Sequence, residues 1–194
     1  MKMLLLWLLL LGALAPAHAQ LKLPKLHGWV NPLPQDSVTG KVSFQGVVQV
    51  PGATQATLYA RAKKWFATYD GPTKMTLVTE DQASGKVTGK TSELVMQNFL
   101  GANVQVPLWR TIIVQVKAGR FRYQITDFSF DSGKGQGAVT PIENYLTPNA
   151  LTFDDAGYPK PVLQSTIEAI QRSGRQQATS IRQALTGKAT DDNW

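Results

Sequence analysis

The chain holds two histidines, His18 and His27, and no cysteine. Thiolate nucleophiles and cysteine metal sites are therefore excluded, and zinc sites built from several histidines lack ligands. His27 lies between Pro24 and Pro32, far in sequence from any serine in a nucleophile-elbow setting, and no Gly-x-Ser-x-Gly occurs. It reads as an exposed tail histidine. Gly89-Lys90-Thr91 ends like a phosphate-binding loop, but Ser84 stands where the first glycine belongs, and the segment is a polar strand. Gly133-Lys134-Gly135-Gln136-Gly137 imitates half a dinucleotide fingerprint, yet Thr140-Pro141 interrupts the helix that should follow. Asp154-Asp155 with Gly157 suggests a calcium loop, but the position for its bidentate glutamate holds Leu163. Paired carboxylates could run glycoside hydrolysis. No two acids fall on evidently facing elements, however, and Asp127 alone sits near the end of a strand. We expect no catalytic residue, no cofactor and no metal.

What remains is charge. Arg110, Lys117, Arg120 and Arg122 gather around one hairpin, with Phe128 and Phe130 close by in sequence. Arg110 shares its parity with Ile112 and Val114, so Lys117, Arg120 and Arg122 are the surface candidates. Together with Phe128 and Phe130 they would make an open sheet face that mixes cations with aromatic rings.

These residues need a scaffold, and hydrophobic periodicity supplies one. From Lys41, Val42, Phe44, Gly46, Val48 and Val50 alternate with polar residues as a half-buried strand, ended by Pro51-Gly52. Thr54 or Ala53 then caps a helix whose Leu58, Ala62, Trp65, Phe66 and Tyr69 form one stripe, stopped at Asp70-Gly71-Pro72. Strands follow over 74–80 and 86–96, the second rich in threonine and lysine, with a turn at 81–85 between them. Leu108 to Val116 and Phe121 to Thr126 alternate on either side of Ala118-Gly119, a strong hairpin signal. Residues 131–160 are broken by glycine and proline and predict a long connection, partly mobile and partly packed through Ile142, Tyr145, Leu146, Leu151 and Phe153. Leu163, Ile167, Ile170, Ala178, Ile181 and Leu185 then recur at helical spacing within a 161–187 helix, with a weak point at Gly174. The apolar side of that helix would meet either the sheet or a second copy of the chain.

Ahead of this core, Lys2, the apolar run Met3–Leu11 and Ala17-His18-Ala19 read as a signal peptide cleaved before Gln20. The run is too short to span a bilayer, which takes roughly twenty apolar residues. The expected organisation is a leader over 1–19, an extended, solvated lead-in over 20–40, the domain over 41–130, the connection over 131–160, the helix over 161–187 and a tail over 188–194. The formal net charge of +7 falls by one with Lys2. Such an excess favours acidic partners in general but is far from the dense basic stripe of a nucleic-acid binder. Without cysteine, stability rests on the buried core.

The block from Val42 to Gly52, the helix Leu58–Phe66, the strand Gly85–Lys90 and the run Gly119–Phe128 together resemble the exported family called domain of unknown function 4468. The resemblance covers residues 41–130 and implies a TBP-like fold: one helix on a curved antiparallel sheet, then a C-terminal helix. It brings no active site. Although the TATA-binding protein reads DNA with such a sheet, export argues against a nucleic-acid ligand. The expected fold is thus α+β, with a five-stranded antiparallel sheet in the order β-α-β-β-β-β, one packed helix and a long C-terminal helix. The expected role is that of a periplasmic or extracellular binding module. It would engage a protein, peptide or envelope polymer through the sheet face or the C-terminal helix. Two alternatives stand beside it: a carboxylate-dependent enzyme on a cell-wall glycan, and a structural protein that forms a homodimer through that helix.

Overall fold

In the computed structural model, residues 28–69, 75–99, 101–131 and 139–187 are described. The leader over 1–19, His27, the glycine run 133–137 and the tail over 188–194 lie outside them. The expected architecture holds. Strand β1 (Phe44–Gln49) leads into helix α1 (Gln55–Ala67), then β2 (Thr76–Asp81), β3 (Lys86–Phe99), β4 (Ala102–Lys117) and β5 (Arg120–Asp131). A short β6 (Val139–Pro141), a single turn α2 (Glu143–Leu146) and the long α3 (Pro161–Thr186) complete the chain. The five main strands lie antiparallel in the order β1-β5-β4-β3-β2, with β6 added beside the far end of β5.

Local chemistry sets the helix ends. Thr54 caps α1, its hydroxyl accepting from the Thr57 N–H at 3.1 Å, which satisfies one of the orphan donors of the first turn. Pro161 opens α3, where its missing N–H costs nothing, and Gly187 closes it in the left-handed region at φ 71°. Gly174 does not interrupt α3.

Both helices pack on the same face of the sheet. Leu58, Ala62, Trp65 and Phe66 of α1 and Leu163, Ile170, Ile181 and Leu185 of α3 are buried there with Val87, Ile112, Val114, Val116, Phe121 and Ile125. Polar ties join the two helices: the Trp65 indole donates to Ser180 Oγ, and Arg61 to the Leu185 carbonyl, each at 2.9 Å. The apolar stripe that could have met a second copy is therefore buried within the chain.

The connection over 131–160 is packed in part, with β6, α2 and buried Ile142 and Phe153 fixed to the core. Two expectations need correction. The lead-in is not wholly solvated, since Leu33 is buried, Trp29 packs edge-on against Phe153 at 5.3 Å, and Gln35 bridges to Val42. The second correction concerns the site. Strict alternation along β5 puts Phe128 and Phe130 on the same side as Arg122, yet both are buried, at 1% and 2% exposure. The cause is a β-bulge. Thr111 pairs with Thr126 but Trp109 pairs with Ser129, so β5 has one extra residue opposite Arg110. Asp127 takes the strain with φ 53°, a value aspartate tolerates better than most residues. Its carboxylate accepts from Lys41 Nζ at 2.6 Å. Beyond the bulge the parity reverses, so both rings enter the core.

Candidate functional site

Antiparallel pairing lays out the face that neither helix covers. Val47 stands opposite Arg122, and Gln49 opposite Arg120, across β1 and β5. On the other side of β5, Arg122 faces Gln115 and Arg120 faces Lys117. Val47, Gln115, Lys117, Arg120 and Arg122 surround a shallow depression of about 220 Å³. Arg122 donates to Gln115 Oε1 at 3.3 Å, which holds its guanidinium over the sheet. Among the described residues, none of Lys117, Arg120 and Arg122 stands in an ion pair. The three cations named from sequence are thus brought together; the two phenylalanines are not part of the surface.

The face continues across β4 and β3. Lys86 pairs opposite Gln115, and Lys90 opposite Thr111, so both lysines share the parity of Arg122. Lys90 Nζ lies 5.5 Å from the centre of the Trp109 ring, within cation–π range. Leu94 and Met96 follow at the same parity and are exposed. Alternation in the threonine- and lysine-rich strand already carried Lys86 and Lys90; only their neighbours were missing.

On the covered face, sequence parity placed Arg110 inside, and it is fully buried. Its guanidinium lies 3.2 Å from a Glu93 carboxylate oxygen and donates to the Tyr69 hydroxyl at 3.2 Å. Gln177 of α3 donates to the same hydroxyl at 2.6 Å. Nearby, Gln97 donates to Thr166 Oγ1 at 2.7 Å, so a second polar contact joins the sheet to α3. Arg110 Nε, Ser173 Oγ and Gln177 Oε1 have no hydrogen-bond partner among the described residues. Lying beneath α3, this group fixes the helix on the sheet. Parity revealed the burial of Arg110 but not its partners, Glu93 of β3 and Tyr69 just after α1, nor Gln177 of α3 behind them.

The metal-like motifs can be followed among the described residues. No group of three or more histidines, cysteines or acids could hold a metal ion there. Asp154 instead accepts from the Tyr158 N–H at 2.8 Å and closes a turn. Ser84 donates through both its hydroxyl and its N–H to Asp81, whose pKa is lowered by these bonds. No helix of the described residues is long and apolar enough to cross a membrane.

Residues 44–131 match the model of a family described as "Domain of unknown function (DUF4468) with TBP-like fold". Among solved structures, a DUF4468 family protein from Bacteroides ovatus ATCC 8483 superposes with a TM-score of 0.60 at 18% identity, covering 82% of this chain and 94% of that one. A TBP-like protein from Parabacteroides distasonis ATCC 8503 gives 0.49 at 13% identity, covering 77% and 96%. At these identities the likeness concerns the fold. No curated protein matches the chain.

Proposed function

We propose that the whole chain is an exported member of that family, and that it is a non-catalytic binding protein working through its uncovered sheet face. One observation carries the reading. Both long helices lie on one side of the sheet, while the other side presents Lys117, Arg120 and Arg122 around Val47 with no acid among the described residues paired to them. A face used only for solvation gains nothing from placing Lys117 directly opposite Arg120, because like charges across a strand pair are destabilising. A ligand with acidic groups, such as a protein segment or an anionic envelope polymer, would relieve that repulsion.

The test is chromatography of the mature protein, from Gln20 onward, on polyglutamate-coated and uncoated agarose. Salt-dependent retention on the first alone is expected, and Arg120→Glu with Arg122→Glu should abolish it. Equal elution from both matrices would refute the reading. Export has its own check: the intact mass of the native protein should begin at Gln20, and a soluble cytoplasmic form keeping Met1 would contradict it.

A further inference from the structure

We infer that the free edge of β1 is a docking site for an extended acidic peptide, which pairs with it as an added strand. This rests on the sheet-face reading above and names the partner's chemistry.

The two edges of the sheet differ in how they are guarded. At β2, a register shift lies between Leu77 and Thr79, Glu80 is ion-paired to Lys63 at 2.7 Å, and Asp81 follows. Bulges and charges of this kind keep an edge from pairing with other chains. At the opposite edge, β1 reads Phe-Gln-Gly-Val-Val-Gln, with neither a charge nor a proline. It runs without a register shift along β5, and Val47 at its centre is 60% exposed. Among the described residues, the backbone of the lead-in bonds only to residues before β1, where Ser43 N–H donates to the Pro34 carbonyl at 2.9 Å. An open, uncharged edge is a template for backbone pairing.

The chemistry flanking that edge selects the partner. On the outer side, Arg120 and Arg122 stand one strand away, opposite Gln49 and Val47. On the helix side, Arg175 and Arg182 of α3 lie seven positions apart, hence on one helical face, and line a cleft of about 320 Å³ with Phe44, Gln45 and Tyr123. Arg182 is steadied by its bonds to the Ala178 carbonyl and Thr179 Oγ1. No ion pair among the described residues involves Arg175 or Arg182. Asp36, the acid next to the cleft residue Gln35, is turned into its own loop by Thr39 at 2.8 Å. Gln45 lines this cleft and Val47 the outer depression, so the two are joined along one strand. An added strand points successive side chains to opposite faces. Adjacent acids in it would therefore meet cations on both sides at once. A second copy of β1 fits poorly, because a two-fold axis there would set arginine against arginine.

The probe is a fluorescein-labelled peptide of about ten residues, alternating pairs of threonine and glutamate, long enough to overlie β1. Its twin carries the same charges but is N-methylated at alternate positions, which removes one edge of backbone donors. We expect saturable binding of the first, with slowed amide exchange in β1. N-methylation should weaken it about tenfold or more, as should Arg175→Glu with Arg182→Glu, and Arg120→Glu with Arg122→Glu. Equal binding of the N-methylated twin overturns strand pairing without any change to the protein. Indifference to reversal at Arg175 and Arg182 overturns the straddled edge. Retention on polyglutamate agarose without peptide binding, or preference for anionic vesicles over the peptide, defeats this inference and leaves the sheet-face reading standing. Failure of both probes defeats both.

Discussion

Phe44 of β1 lies against Gly174 of α3 so closely that a β-carbon at position 174 would clash with the Cδ2 and Cε2 atoms of the phenylalanine ring. The glycine that looks like a weak point in the helix is thus the place where the helix and the edge strand meet. Phe44 also packs edge-on to Phe128 at 5.8 Å, which gives the ring little room to retreat.

Gly174→Ala should therefore destabilise the protein although alanine is the better helix former by about 1 kcal/mol. Overpacking at a tight contact costs roughly 1–3 kcal/mol, so a net loss is expected in urea unfolding. In the Phe44→Ala background the same change should become neutral or favourable. An equal loss in both backgrounds would show that the contact is not the cause.

Arg110 and Glu93 form a second test. Removing one partner of a buried pair leaves the other charge uncompensated, at a cost of about 3–5 kcal/mol. Arg110→Ala should approach that range, while Arg110→Met combined with Glu93→Gln should recover most of the loss. A double variant as unstable as Arg110→Ala would place the cost in the lost hydrogen bond to Tyr69 instead. Calorimetric melting of the wild type and the two variants decides it.

The hairpin cations predict a trade between stability and binding. Arg120→Glu converts the like-charge pair with Lys117 into an attractive one, worth roughly 0.2–1 kcal/mol. The variant should melt higher than the wild type and bind polyglutamate more weakly. A lower melting temperature would contradict this account of the face.

Acid stability has two identifiable sources. The Asp36 pKa is lowered, chiefly by the Thr39 N–H and then its hydroxyl, and that of Asp81 by the Ser84 hydroxyl and then its N–H. A carboxylate whose folded pKa lies below its unfolded value of 3.8 stabilises the fold above that pH. The contribution is lost as the pH falls through the folded value. Asp36→Asn and Asp81→Asn should each flatten the acid limb of a stability–pH curve. An unchanged slope in both would mean that these turns open before the core.

Truncation before Pro161 should not release a folded core. It strips the cover from Phe44 of β1 and from the inner face of β5, and removes Gln177 from Tyr69. The product should bind a hydrophobic dye and lose amide protection throughout the sheet. A monomeric, protected fragment would show that α3 is an appendage.

Periodicity by itself determined the element order, the two amphipathic helices and the inward placing of Arg110, because each depends on neighbours within a few residues. The cap at Thr54 was equally local. The tertiary structure decided three things. An extra residue at Asp127 reversed the parity of β5 and took Phe128 and Phe130 out of the proposed surface, a change that no alternation rule can anticipate. Gly174 acquired its purpose from Phe44, 130 positions away in the chain. The choice of which face α3 covers also came from three-dimensional packing. Helical spacing says that an apolar stripe must be buried, but only the assembled sheet supplies the surface that buries it, leaving the other face and the β1 edge open.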